Sequence, residues 1–121
     1  MARRDITGAI DFDHLARMTA NDDAIIAEVL DLFCEQVQMW GRLLDPRGDA
    51  AAWRDGAHTL KGSALGLGAH DLGAICGEAE AAWQADAGVK AALKDKLDFA
   101  VDLALADIAA WRHERLLQSL K

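Results

Sequence analysis

The sequence predicts an all-α protein, and three observations carry that reading. Hydrophobic residues make up 52% of its 121 residues, with one proline, no tyrosine, much alanine and few β-branched side chains, a composition that favours closely packed helices over sheet. Apolar residues recur every three or four positions along most of the chain, the period of a helix with one buried face. That period breaks at Asp45-Pro46-Arg47-Gly48, at Gly66 and Gly68, and at Gly88, residue types that end helices and open turns.

The elements follow in order. Residues 1–10 are expected to form a flexible N-terminal tail and residues 11–121 a single domain, long enough to bury one core. Asp11 and Asp13 open a brief helix carrying Phe12, Leu15 and Met18. Asn21 is the expected N-cap of a second helix of about six turns, whose stripe is Ile26, Val29, Leu30, Phe33, Val37, Trp40 and Leu44. Asp49 caps a third, with Trp53, Ala57, Leu60, Ala64 and Leu67 inward. A tight connection at Gly68-Ala69 predicts an antiparallel hairpin with a fourth helix, which carries Leu72, Ile75, Cys76, Ala79 and Trp83 inward and ends near Gly88. The last helix runs from Val89 to about Leu120, with Leu93, Leu97, Ala100, Val101, Ala104, Ile108 and Trp111 on one face and its final turns frayed or kinked. Short connections between long amphipathic helices imply an antiparallel four-helix bundle with a short extra N-terminal helix.

Charge narrows the partners. With 13 Lys and Arg against 20 Asp and Glu, the net charge is −7, which repels phosphate backbones and anionic lipid, and no basic run interleaves with aromatics. Nucleic acid and membrane are therefore not expected as partners. No apolar run suits a signal peptide or a membrane span, so the expected location is cytoplasmic. Cys34 and Cys76 sit at core spacings without a C-x-x-C pair and read as small buried hydrophobes in a reducing compartment.

Chemistry concentrates in Ala57-His58-Thr59-Leu60-Lys61-Gly62-Ser63. Around a helix Lys61 lies about 60° and Gly62 about 40° from His58, so both border it while Ala57, Leu60 and Ala64 face the core. Phosphoryl transfer through histidine needs an exposed neutral ring nitrogen, a group that holds the other nitrogen, and nearby positive charge. His58 is the candidate nucleophile, Lys61 a cation beside it, and Arg54, four residues earlier, a second cation. Gly62 costs a helix roughly 1 kcal/mol and leaves a gap through which another protein's backbone could approach. If the chain reverses near residue 68, residue 58 comes level with the late seventies, so Glu80 can reach the His58 ring and set its tautomer. Gly73 and Gly77 lie on nearly the same face as Glu80 and would let the two helices approach closely.

Two readings compete on the residues alone. Asp11 and His14, and Asp55 and His58, each repeat a carboxylate-x-x-histidine spacing that resembles the ligand pairs of di-iron bundles, which Glu28, Glu35 or Glu80 could complete. Against this, one pair sits on a short capping helix, and the other would bury Asp55 on a face that also carries Lys61, so no metal is expected. A binding module that carries no phosphate keeps the fold but leaves the histidine, lysine and glycine without a task. His14, His70 and His113 lack comparable neighbours and read as surface or capping residues.

The His58–Gly62 run, with Leu67-Gly68-Ala69, Leu72, Cys76 and Glu80 downstream, resembles the histidine-containing phosphotransfer (HPt) domain family, whose signature is H-x-L-K-G. The resemblance implies a four-helix bundle and a phosphorelay protein that carries a phosphoryl group on His58 to or from the aspartate of response-regulator receiver domains, with a hybrid histidine kinase as a further partner. It implies a monomer with no cofactor of its own, the receiver supplying the aspartate and Mg²⁺. Where the family commonly has glutamine, this chain has Glu80, as the phosphotransfer domain of chemotaxis histidine kinases does. Gly66-Leu67-Gly68 lacks a P-loop lysine and the third glycine of a dinucleotide fingerprint, so the chain is read as a phosphocarrier and not as an enzyme with a nucleotide site.

Overall fold

Aspartate starts four of the five helices found among residues 6–120, the span that the computed structural model describes. Asp11 caps α1 (Phe12–Met18), Asp22 caps α2 (Asp23–Gly41), Asp49 caps α3 (Ala50–Leu67) and Asp86 caps α5 (Ala87–Ser119). Each carboxylate accepts a backbone N–H of the first turn that would otherwise lack a partner, at 3.0 to 3.3 Å, worth about 1 kcal/mol per cap. Helix α4 (His70–Ala81) has no side-chain cap because the turn at Gly68 and Ala69 feeds directly into it. No strand occurs among the described residues.

The four longer helices form a helical bundle in which α3 contacts α2 and α4, and α5 contacts α4 and α2. Its core holds Leu30 and Phe33 of α2, Trp53, Leu60 and Leu67 of α3, Leu72 and Cys76 of α4, and Leu97, Ala104 and Ile108 of α5. Trp53 is fully buried, and its indole N–H donates to Ala79 O at 2.7 Å, so the largest core side chain also leaves no polar atom unpaired. Lys90 lies over the same ring, 5.3 Å from its centroid, and ties the start of α5 to α3. Cys34 and Cys76 are free thiols, and burial pushes the Cys76 thiol up to about 11.

Several boundaries differ from those expected. Asn21 does not cap α2: it sits at φ 59° beside Ala20 at φ 54°, and Asp22 takes the cap. Asparagine tolerates the left-handed region, so it serves the turn that separates α1 from α2. Helix α2 ends at Gly41, and a short turn with Leu43 N bonded to Trp40 O carries Leu44 into the core. Helix α4 ends at Ala81, well before Gly88, which falls in the first turn of α5 because Asp86 caps that helix two residues before the expected start. Trp83 therefore belongs to the turn after α4. Helix α5 continues unbroken to Ser119, 33 residues or about 50 Å.

The expected flexible tail over 1–10 is corrected for its second half; residues 1–5 lie outside the described residues. Ile10 is buried, and Asp107 of α5, also fully buried, accepts from Thr7 N at 2.6 Å, Thr7 Oγ1 at 2.9 Å and Ile10 N at 3.1 Å. Asp11 N donates to Gly68 O at 2.9 Å, joining this strap to the α3–α4 turn. A strap without regular structure stays ordered here because a buried side chain supplies the partners that a helix would have supplied.

Asp107→Ala removes all three acceptor contacts and should destabilise the fold by about 2–4 kcal/mol in urea denaturation. Amide exchange should show the Thr7 and Ile10 N–H groups losing protection more than those of α3. Asp107→Asn, which keeps one acceptor oxygen, should fall between.

Candidate functional site

Helix α3 ends where Gly68 turns left-handed at φ +90°, with Gly68 N bonded to Leu65 O and Ala69 N to Ala64 O. A Cβ on Gly68 would come within 2.9 Å of Asp11 O, so glycine is required both for the turn and for the strap that crosses it. The reversal sets α4 antiparallel to α3. Leu65 covers Gly73, where a Cβ would lie 2.5 Å from Leu65 Cδ2; the Lys61 stem passes Gly77; and His58 meets Glu80. The small residues on α4 thus admit the side chains of α3, and Gly77 makes only ordinary contact, 3.6 Å from its Cβ position to Lys61 Cδ.

Glu80 joins the other two polar groups. Its Oε2 lies 2.8 Å from His58 Nδ1 and its Oε1 2.7 Å from Lys61 Nζ. An ionised carboxylate only accepts hydrogen bonds, so Nδ1 carries the proton of the neutral ring and Nε2 keeps its lone pair. The His58 side chain is 67% exposed against 26% for Glu80, so the carboxylate is half-sheltered while the ring faces solvent. The Lys61 hydrogen bond holds the Glu80 carboxyl below the usual carboxylate range; desolvation opposes this, and the His58 hydrogen bond adds to it.

Of the sequence-derived candidates, His58, Lys61 and Glu80 come together. Lys61 is not a free ammonium, because Glu80 holds it. Arg54 stands apart from this cluster: its guanidinium lies over the Trp83 ring, 4.6 Å from Cζ to centroid, and its Nε is 3.5 Å from Asp55 Oδ1. Gly62 is exposed, and a Cβ added there, or at Gly66, would meet nothing within 4 Å. The fold itself therefore needs no glycine at either position. Beside them a groove of about 220 Å³ runs between Leu32, Phe33 and Gln36 of α2 and Gly62, Ser63 and Gly66 of α3, bridged by Ser63 Oγ and Gln36 Oε1 at 3.2 Å.

Leu32 and Gln36 escaped the sequence reading. Leu32 carried a usable signal, an aliphatic residue outside the stripe of α2, and it is 54% exposed. Trp83, expected inward from its spacing, does pack partly buried against the core, and its ring also lies under the Arg54 guanidinium. The remaining histidines lie elsewhere: His14 and His70 meet edge to face near the N-terminus of α4, His70 Nε2 is 3.4 Å from Asp11 Oδ2, and His113 is exposed on α5. Asp11 is occupied as a helix cap and Asp55 is paired with Arg54, and among the described residues no group of three His, Cys, Asp or Glu side chains could hold a metal ion.

The sequence model of the Hpt domain family matches residues 24–111. The crystal structure of the histidine phosphotransferase ShpA from Caulobacter crescentus is similar over 94% of this chain and 100% of its own, with 43% sequence identity and a TM-score of 0.77. No curated protein matches the chain. No helix among the described residues is long and apolar enough to cross a membrane.

The depressed Glu80 pKa carries a signed expectation. Its stabilising effect is present above the unfolded carboxyl value, about 4.3, and is lost as pH falls through the lower folded value. The Glu80 carboxyl carbon, followed by NMR, should titrate below the usual range. The midpoint should rise more in Lys61→Met than in His58→Gln, because the lysine contributes the larger effect.

Proposed function

The chain belongs to the Hpt domain family, and on that footing we propose that it carries a phosphoryl group on His58 Nε2, to or from the aspartate of response-regulator receiver domains. The observation that carries this reading is the Glu80 bridge, which fixes the proton on Nδ1 and leaves Nε2 as the nucleophile on an exposed ring. The Nε2 lone pair attacks the phosphorus of the receiver's aspartyl phosphate; the N–P bond forms as the P–O bond breaks, and the electron pair leaves with the aspartate carboxylate. The ring, now bearing phosphoryl on Nε2 and hydrogen on Nδ1, is cationic, and the Glu80 carboxylate offsets that charge. Return to a second receiver runs the same step in reverse.

The partners in this reading are receiver domains and a hybrid histidine kinase, and the receiver supplies Mg²⁺. The protein acts in the cytoplasm as a monomer and a phosphocarrier, its four longer helices forming an antiparallel bundle that binds no cofactor. Gly62, Gly66 and the groove toward α2 form the docking surface beside His58, since added side chains there would enter open space and would obstruct only a partner.

Incubation with phosphorylated receivers from the source organism should give an acid-labile, alkali-stable adduct that maps to His58 and is absent from His58→Gln. Label that persists in this variant, or maps to His14, His70 or His113, overturns the assignment.

Gly62→Gln should raise the melting temperature, as glutamine gains up to roughly 1 kcal/mol over glycine in an exposed helix, while slowing transfer from the receiver at low receiver concentration. Phosphoramidate, which needs no docking, should label His58 in this variant at nearly the wild-type rate. Unimpaired receiver transfer in folded Gly62→Gln would place the interface elsewhere.

A further inference from the structure

One helical turn before His58, α3 carries Arg54; three residues past Glu80, the turn that closes α4 carries Trp83. The Arg54 guanidinium carbon lies 4.6 Å from the Trp83 ring centroid. The two elements that meet in the His58–Glu80 pair therefore meet again one turn away, in a stack of a cation on an indole face. His58 and Arg54, four residues apart on α3, are neighbours on one face of the helix.

Two further observations separate Arg54 from an ordinary surface arginine. Lys61, the other cation beside His58, is held by Glu80 Oε1 at 2.7 Å. Arg54 is occupied only on its face, by the indole, and at Nε, 3.5 Å from Asp55 Oδ1; neither Nη nitrogen has a hydrogen-bond partner among the described residues. A guanidinium stacked in this way keeps its N–H edge free and loses less freedom when it engages an anion, since its orientation is already restricted. A phosphoryl group offers oxygens that suit that planar edge.

We propose that Trp83 is a positioning residue for phosphoryl transfer: its ring holds the Arg54 guanidinium one turn from His58, where the free Nη–H groups take oxygens of the phosphoryl group on Nε2. This rests on the phosphocarrier reading and adds to it the residue that sets the geometry of the second cation. Lys61 then serves chiefly to anchor Glu80, and Arg54 serves the transferred group.

The test is the rate of His58 labelling by phosphoramidate, which removes receiver docking from the measurement, in wild type, R54Q, W83L, W83F and the R54Q/W83L double variant, each checked for fold by circular dichroism. R54Q and W83L should each label roughly fivefold more slowly, W83F should stay within about twofold of wild type because it keeps an aromatic face, and the double variant should be no slower than R54Q alone. Should W83L not fold, W83M replaces it. Wild-type protein that labels at His58 while folded W83L labels just as fast overturns this inference alone, as does a double variant whose two effects multiply. Wild-type protein that takes no label at His58 overturns the phosphocarrier reading itself.

Discussion

Turning the chain back through a left-handed Gly68 sets Leu65 against Gly73, Lys61 against Gly77 and His58 against Glu80, and the polar cluster depends on that register. A slip of one residue would carry Glu80 about 100° around α4, away from both of its partners. The register is pinned at its far end by the Trp53 indole, which donates to Ala79 O next to Glu80. A fully buried tryptophan with one satisfied hydrogen bond tolerates little displacement, because moving it would both open a void and strand a polar group. The surface chemistry is thus positioned from the core.

Within that frame the cluster is an arrangement of one carboxylate between two nitrogens. Glu80 is sheltered enough that its contacts are screened less than those of a fully exposed ion pair, yet it keeps partners on both oxygens, so it remains ionised. His58 remains largely exposed. The division of labour between the cations follows from the same contacts: the ammonium of Lys61 sits on the carboxylate, while the flat guanidinium of Arg54 lies on an indole.

The exposed side of α3 gives up helix stability. Glycines at 62 and 66 weaken a helix without relieving any contact, and the groove beside them leaves Leu32 partly in water. Other parts of the molecule compensate. Four aspartate caps, the buried Asp107 that fastens residues 7 and 10, and the layer around Trp53 contribute no side chain to the lining of the groove. Small changes to the groove therefore cost the fold little.

Much of this was legible along the chain. The all-helical composition, the apolar stripes of α2, α3 and α5, the Asp49 cap and the glycine turn at 68 are local signals, readable because helix period and cap chemistry act within a few residues. The neighbours of His58 on its own helix, Arg54, Lys61 and Gly62, were legible for the same reason. Competition between adjacent residues was not: Asn21 and Asp22 both suit a cap, and only the turn geometry gave it to Asp22. Contacts distant along the chain were less legible still. That Asp107 fastens a strap almost a hundred residues away, that Glu80 rather than solvent holds Lys61, and that Trp83 packs against the core while also stacking on Arg54 depend on where whole helices end and how closely they approach. Sequence determined the helices and the polar face around His58, since those follow from local periodicity and side-chain chemistry; tertiary structure decided which charge answers which, because a long polar side chain pairs with whatever packing brings within about 3 Å of it.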